Sequence, residues 1–291
     1  MKNTILISFF LLIVFNISAF GKDYPNIPND IDIKNKTYCD KSGKKFGHVI
    51  VLLDLTSELE EPQIKFIKDS VFSENFFLSK KPFTRFSYLL IDNKSVQKQT
   101  FVFTKCRPKT GGSGIEKNTW TENSKYLKKF YNDFLSAAEK SHSKIFEKKI
   151  NSPNSFIHET IAYVFQNPKY DFSEKVGERT LIIVSDMMQH SKRISFYKKC
   201  KVKNILNNLS SSAKCPTYKN FIKKLSTNDK DYWAVTAPNG KGVDLQMIYL
   251  NNRYETKKEV DKSLVALWKD FFIDRNFKDV KIVRQLDIGT R

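Results

Sequence analysis

Two stretches of this chain are apolar without interruption and stop at a carboxylate: His48-Val49-Ile50-Val51-Leu52-Leu53-Asp54 and Arg179-Thr180-Leu181-Ile182-Ile183-Val184-Ser185-Asp186. A continuous run, as opposed to an alternation, is the pattern of a central strand covered on both faces. Between and beyond them the spacing turns helical. Ile64, Ile67, Val71 and Phe72 predict a helix over Glu60 to Phe77, with Glu60 and Glu61 ahead of Pro62 as its acidic start. A long charged helix is expected from Ser124 to Lys149, ended by Ser152-Pro153-Asn154. Ser155 then reads as the N-cap of a second helix whose buried stripe is Phe156, Ile157, Ile161, Val164 and Phe165.

Thr84 to Ile91 and Gln99 to Thr104 are β-rich and are separated by the turn-forming Asp92-Asn93-Lys94, so they are expected to be antiparallel neighbours. Cys106 to Trp120 reads as a loop, and its Gly-Gly-Ser-Gly stretch lacks the spacing to a GK[ST] that a phosphate loop needs. Toward the C-terminus come a basic helix around Tyr218 to Leu225 and a strand from Val243 to Leu250. A helix with Val260, Leu264, Leu267, Trp268 and Phe271 on one face follows, then a short strand from Val280 to Val283. Strands alternating with helices, plus one tight antiparallel pair, predict an α/β fold: a doubly wound, mainly parallel open sheet with one antiparallel strand and helices on both faces.

The N-terminus changes the setting. Met1-Lys2-Asn3, an apolar stretch from Ile5 to Phe15 and small residues around Ser18-Ala19-Phe20-Gly21 have the layout of a cleavable signal peptide. Asn16 interrupts the stretch, which is shorter than the roughly 20 apolar residues of a spanning helix, so an uncleaved anchor is the weaker alternative. The expected organisation is a signal peptide over 1–21, a polar linker over 22–45 and a single domain over 46–291. Export would place the domain in the periplasm or outside the cell.

That setting governs how charge and cysteines are read. The chain carries a net charge of +19, or +18 without Lys2, the only charged residue in 1–21. Such a charge favours acidic partners such as anionic surfaces, although lysines that merely solvate the surface give the same number. Four cysteines, Cys39, Cys106, Cys200 and Cys215, read as two disulfides in an oxidising compartment. The polar segment between Cys200 and Cys215 favours that local pair and leaves Cys39 with Cys106. A metal site built from them is disfavoured, because the chain has no CxxC and no nearby His pair.

In an open parallel sheet, ligands collect outside the carboxyl ends of the strands, where Asp54 and Asp186 are expected. Thr56, Ser57 and Glu58 follow the first aspartate, and Ser155 comes from the helix preceding the second strand. Carboxylates with hydroxyl oxygens suit a hard divalent cation such as Mg²⁺ or Ca²⁺. The bland alternative is that both aspartates bond loop and helix N–H groups at the sheet edge. His48, His142, His158 and His190 are scattered, no GxSxG elbow is present, and Ser185, Asp186 and His190 are too near in sequence to suggest a catalytic triad. Lys192 to Lys203, with Phe196 and Tyr197, holds the ingredients of a polyanion contact or of a solvated loop.

Asp54-Leu55-Thr56-Ser57-Glu58, Ser155-Phe156-Ile157-His158-Glu159 and Ser185-Asp186-Met187-Met188, in that order, resemble the von Willebrand factor A (vWA) domain. More narrowly, they look like exported bacterial vWA-like proteins with a DLT motif after the first strand and a later SD-hydrophobic-hydrophobic-Q motif. The resemblance covers about residues 46–285. It implies a doubly wound fold with a metal-ion-dependent adhesion site, in which one coordination position is left for an acidic group of a partner. Asp54 and Thr56 match the first two positions of the family's DxSxS motif, Ser155 its separate threonine and Asp186 its later aspartate. The third DxSxS position is Glu58 in place of serine, which either adds a carboxylate or leaves the site incomplete. The expected function is a non-enzymatic binding module for a protein or envelope component; the residues identify no small-molecule substrate. The alternatives are a metal-dependent hydrolase, with Glu58 or His190 as base, and a metal-independent binder of polyanions or membrane surface.

Overall fold

The computed structural model describes residues 36–39, 47–91, 96, 99, 101–112, 123–147, 152–170, 172, 177–200, 214–236, 238–250 and 258–285. The expected signal peptide, most of the expected 22–45 linker, the expected Asp92-Asn93-Lys94 turn and the segment 201–213 lie outside them.

Strand β1 (Gly47–Asp54) is buried at all eight positions, which is why its sequence shows no alternation. Its side chains nevertheless point alternately to two faces. Val49, Val51 and Leu53 join one core with Phe66 and Ile67 of α1 (Glu61–Ile67), Phe77 of α2 (Glu74–Leu78), and Phe130 and Phe134 of α3 (Ser124–Phe146). Ile50 and Leu52 join a second core with Ile157 and Ile161 of α4 (Ile157–Gln166), Phe221 of α6 (Tyr218–Lys223) and Trp233 of α7 (Thr227–Thr236). Leu264, Trp268 and Phe271 of α8 (Lys258–Asp274) complete it. Helices therefore cover both faces, as expected.

The sheet runs β3-β2-β1-β4-β5-β6, with β2 at Arg85–Ile91, β3 at Phe101–Cys106, β4 at Glu178–Ser185, β5 at Val243–Tyr249 and β6 at Lys278–Arg284. Every neighbouring pair is parallel except β2 with β3, the pair the sequence marked as antiparallel. β1 and β4 lie side by side in the middle, and the chain builds outward from them in opposite directions. Their carboxyl ends therefore flank the point where the strand order reverses, where doubly wound sheets form their ligand crevice.

Three local expectations change. The helix expected over Glu60 to Phe77 is broken: α1 gives way to a π-helical turn at Lys68–Phe72, and Ser73 starts α2 by accepting a hydrogen bond from the Phe76 amide at 3.2 Å. A capping side chain competes with helix continuation wherever it can reach an orphan N–H. α7 was not expected at all, since it buries Trp233 but has no apolar stripe. Ser155 is not an N-cap, because α4 starts at Ile157 with Phe156 at the cap position.

Both expected disulfides are formed, Cys39 with Cys106 and Cys200 with Cys215. The first ties a preceding segment to the outer strand, where the Thr37 carbonyl accepts the Cys106 N–H at 2.8 Å and Tyr38 packs on Phe130. That covers part of an edge otherwise open to pairing with another chain. The second joins α5 (Phe196–Lys199) to the start of α6 through sulfurs buried in the second core. Among the described residues no helix is long and apolar enough to cross a membrane. Replacing Cys200 and Cys215 together by serine frees a loop of 15 residues and is expected to lower stability by up to about 3 kcal/mol. Urea unfolding under non-reducing conditions checks this, and an unchanged midpoint would show that burial alone holds the segment.

Candidate functional site

Asp54 ends β1 and is buried. Each of its carboxylate oxygens has two donors. Oδ1 accepts from the Thr56 amide at 3.1 Å and from Thr56 Oγ1 at 2.6 Å. Oδ2 accepts from Ser155 Oγ at 2.9 Å and from Ser185 Oγ at 2.6 Å. Residues 101 and 131 positions away in sequence thus meet on one carboxylate. The Ser155 hydroxyl goes to this carboxylate, which explains why it does not cap α4.

The loops carrying these groups are held from several sides. Ser155 and His190 exchange both main-chain hydrogen bonds, at 2.9 and 2.8 Å, and the Ser152 amide donates to the Thr56 carbonyl at 3.1 Å. Beyond β4, Ser185 Oγ also accepts the Met187 amide at 2.7 Å, and the Trp268 indole N–H donates to the Met187 carbonyl at 2.9 Å. Met187 has φ +61, a conformation uncommon outside glycine, which these bonds hold in place. Gln189 is fully buried; its Oε1 accepts the His158 amide at 2.8 Å and its Nε2 donates to Glu159 Oε2 at 2.8 Å. The first turn of α4 is therefore satisfied by a side chain from the loop after β4.

Of the five expected site residues, Asp54, Thr56 and Ser155 converge. Asp186 is half-buried beside them, and its Oδ1 accepts the Met188 amide at 2.9 Å. Burial first, then the charges of Asp54 and Asp261, push its carboxyl up to about 7 against the pull of the Met188 N–H. Glu58 is exposed, outside the buried cluster. Ser185 is an additional member; its signal was a lone hydroxyl at the end of an apolar strand. Gln189 was equally visible as a polar residue next to two buried methionines. Among the described residues no group of three or more His, Cys, Asp or Glu side chains forms a metal cage, so a cation here would depend on hydroxyls. A hydroxyl that donates its proton to Asp54 keeps lone pairs free to accept a cation, and an all-oxygen donor set fits Mg²⁺ or Ca²⁺.

The catalytic triad that could be written from Ser185, His190 and Asp186 is not assembled. Ser185 donates to Asp54, and His190 Nδ1 lies 2.8 Å from Ser195 Oγ. The remaining histidines sit elsewhere: His48 Nε2 is 2.9 Å from Ser87 Oγ, and His142 is buried against Phe72 and Phe146. His158 is fully buried, stacked on Trp233 at 3.8 Å between centroids, with Phe271 alongside.

The strand order is that of the doubly wound sheet the sequence resemblance implied, and Asp54, Thr56 and Ser155 meet at its reversal with Asp186 beside them. The fold is a doubly wound, mainly parallel α/β sheet with one antiparallel edge strand. No protein-family model matches the chain, and no curated protein matches it. Among solved structures it is similar to proximal thread matrix protein 1 from the mussel byssus, solved with a zinc-occupied MIDAS motif, at 14% identity over 83% of this chain and 44% of that one, with a TM-score of 0.32. It is also similar to the pilus adhesin SpaC of Lactobacillus rhamnosus GG in an open conformation, at 7% identity over 82% of this chain and 28% of that one, TM-score 0.36. A third similar structure is an aerotolerance-related membrane protein of Bacteroides fragilis, at 9% identity over 83% and 96%, TM-score 0.32. The chain thus spans less than half the length of the first two.

Two outcomes follow from this geometry. Asp54→Ala strands three hydroxyls and an amide and is expected to cost about 2–3 kcal/mol, since buried groups left unpaired lose about 1–3 kcal/mol; denaturant unfolding of the variant against wild type checks it. Burial, then Arg275, lowers the His158 pKa to about 3 from 6.5. The unfolded chain therefore binds a proton in this interval that the folded one does not. This contribution to stability is full above pH 6.5 and falls by up to about 1.4 kcal/mol per pH unit as the pH drops toward 3. His158→Phe should flatten that slope in urea titrations, and an unchanged slope would assign acid sensitivity to other groups.

Proposed function

We propose that this chain is an exported, non-enzymatic binding module that docks a protein or envelope component at the carboxyl edge of its sheet, with a divalent cation held there. One observation carries the reading: the hydroxyls of Thr56, Ser155 and Ser185 converge on the Asp54 carboxylate between β1 and β4. Because both oxygens of Asp54 already have two donors each, its role is to orient hydroxyls. Thr56 Oγ1, Ser155 Oγ and the Asp186 carboxylate would hold the ion. When bound, such an ion offers a coordination position to an acidic group of the partner. The two disulfides support an oxidising compartment, and the leader-like residues 1–21 support export.

Binding is favoured over catalysis because the groups considered as bases are placed for other roles. His190 aligns its ring on Ser195 and its main chain on Ser155, and Glu58 is exposed. Calorimetric titration of the chain with Mg²⁺, Ca²⁺ and Mn²⁺ tests the reading. Wild type should bind at least one ion, Asp186→Asn should abolish binding, and Asp54→Asn should weaken it by about 10- to 100-fold, as removal of a group that positions ligands does. A wild type that binds none of the three ions removes the cation from the proposal.

A further inference from the structure

Lys192 to Lys203 was read from sequence as either a polyanion contact or a solvated stretch; residues 201–203 lie outside the described residues, and the part up to Cys200 has a definite form. His190 pairs with Ser155 on one side and bridges to Ser195 on the other. The Ser191 N–H donates to the Ile194 carbonyl at 2.8 Å, the Ile194 amide donates to Ser191 Oγ at 3.2 Å, and the Phe196 amide donates to the Gln189 carbonyl at 2.9 Å. Lys192 and Arg193 form the tip of this closed hairpin, and both are exposed. Its base is anchored by buried Ile194 and Phe196 and by the Cys200 to Cys215 disulfide. The hairpin therefore stands beside Ser155, one residue contact away from the Asp54 cluster, with its cationic tip held in place.

The aromatic groups nearby decide which kind of anion fits. Stacking on nucleic-acid bases needs open aromatic faces. Phe196 is fully buried, Tyr197 packs edge-on against His190, and the Tyr232 ring carries the Arg193 guanidinium 4.6 Å from its centroid. Tyr232 is itself hydrogen-bonded to Glu159, so the platform under Arg193 is fixed. A guanidinium stacked on a ring keeps its N–H edge directed outward, in the fork that matches a carboxylate. The geometry points to a second, metal-independent anchor at Lys192 and Arg193 for carboxylates of an acidic protein segment, adjacent to the edge proposed above as the docking face. This names the chemistry of the partner and rests on that reading of the edge.

The test is binding of a fluorescent poly-glutamate peptide to the chain in EDTA, so that failure of the cation reading leaves this one measurable. Lys192→Glu/Arg193→Glu should weaken binding by about tenfold, each reversed exposed charge contributing on the order of a few-fold. Lys128→Glu/Lys129→Glu makes the same change of net charge on exposed positions of α3, across the sheet, and should weaken binding by less than about twofold. Equal losses in the two double variants would reduce the effect to net charge and overturn the proposal. So would absence of peptide binding by wild type, or tighter binding to vesicles of equal phosphatidylglycerol and phosphatidylcholine, or to a DNA duplex, than to the peptide.

Discussion

Asp54 carries a carboxylate into a place that water scarcely reaches, and everything at the carboxyl edge of the sheet is arranged around that cost. An ionised group is retained in such surroundings only when its lone pairs are filled. Here four donors fill them, from the turn directly after β1, from the loop before α4 and from the end of β4. One charge thereby fixes the relative positions of three segments that are far apart in sequence. The Ser155–His190 pairing and the Gln189 cap on α4 then extend that order outward to the surface.

The sheet can support such a group because its centre is rigid and dry. β1 and β4 bury nearly every side chain between two layers of helices, and these are the strands whose ends carry Asp54 and Ser185. Packing on both faces leaves little freedom for the strand ends to splay. The oxygens around the carboxylate are therefore set before any ligand arrives, the condition under which binding loses least to reorganisation.

The central strands and the antiparallel pair were legible in the sequence because burial on both faces, and a short turn, leave one-dimensional signatures. The site was legible as to residue type but not as to partner. Ser155 before an apolar stretch is indistinguishable from an N-cap until Asp54, 101 residues away, is seen to compete for its hydroxyl. Ser73 presents the converse case: its capping signal was present, but Val71, Phe72 and Phe77 continue an apolar spacing across it and hide the break. α7 left no pattern because, among its described side chains, Trp233 is the buried anchor, with Tyr232 only partly buried beside the core. Long-range hydrogen bonds and single large anchors have no periodicity, and periodicity is what sequence reading detects.

Charge at the edge is graded from inside to outside. The interior holds Asp54 and Asp186, and burial first, then the charge of Asp54, raises the Asp186 carboxyl, whereas the hairpin tip alongside is cationic. The proposed acidic partner approaching this edge would be drawn by Lys192 and Arg193 at a distance of many ångströms, since exposed charges act over about a Debye length, roughly 8–10 Å. At contact the same partner meets two carboxylates, and like charges brought together oppose binding. The proposed divalent cation between them would reverse that sign, because it would neutralise the interior and leave net attraction for one more carboxylate. On the proposed reading the basic rim and a cation in the oxygen cluster would thus act at different ranges on the same kind of ligand, the rim governing encounter and the ion governing how firmly the complex closes.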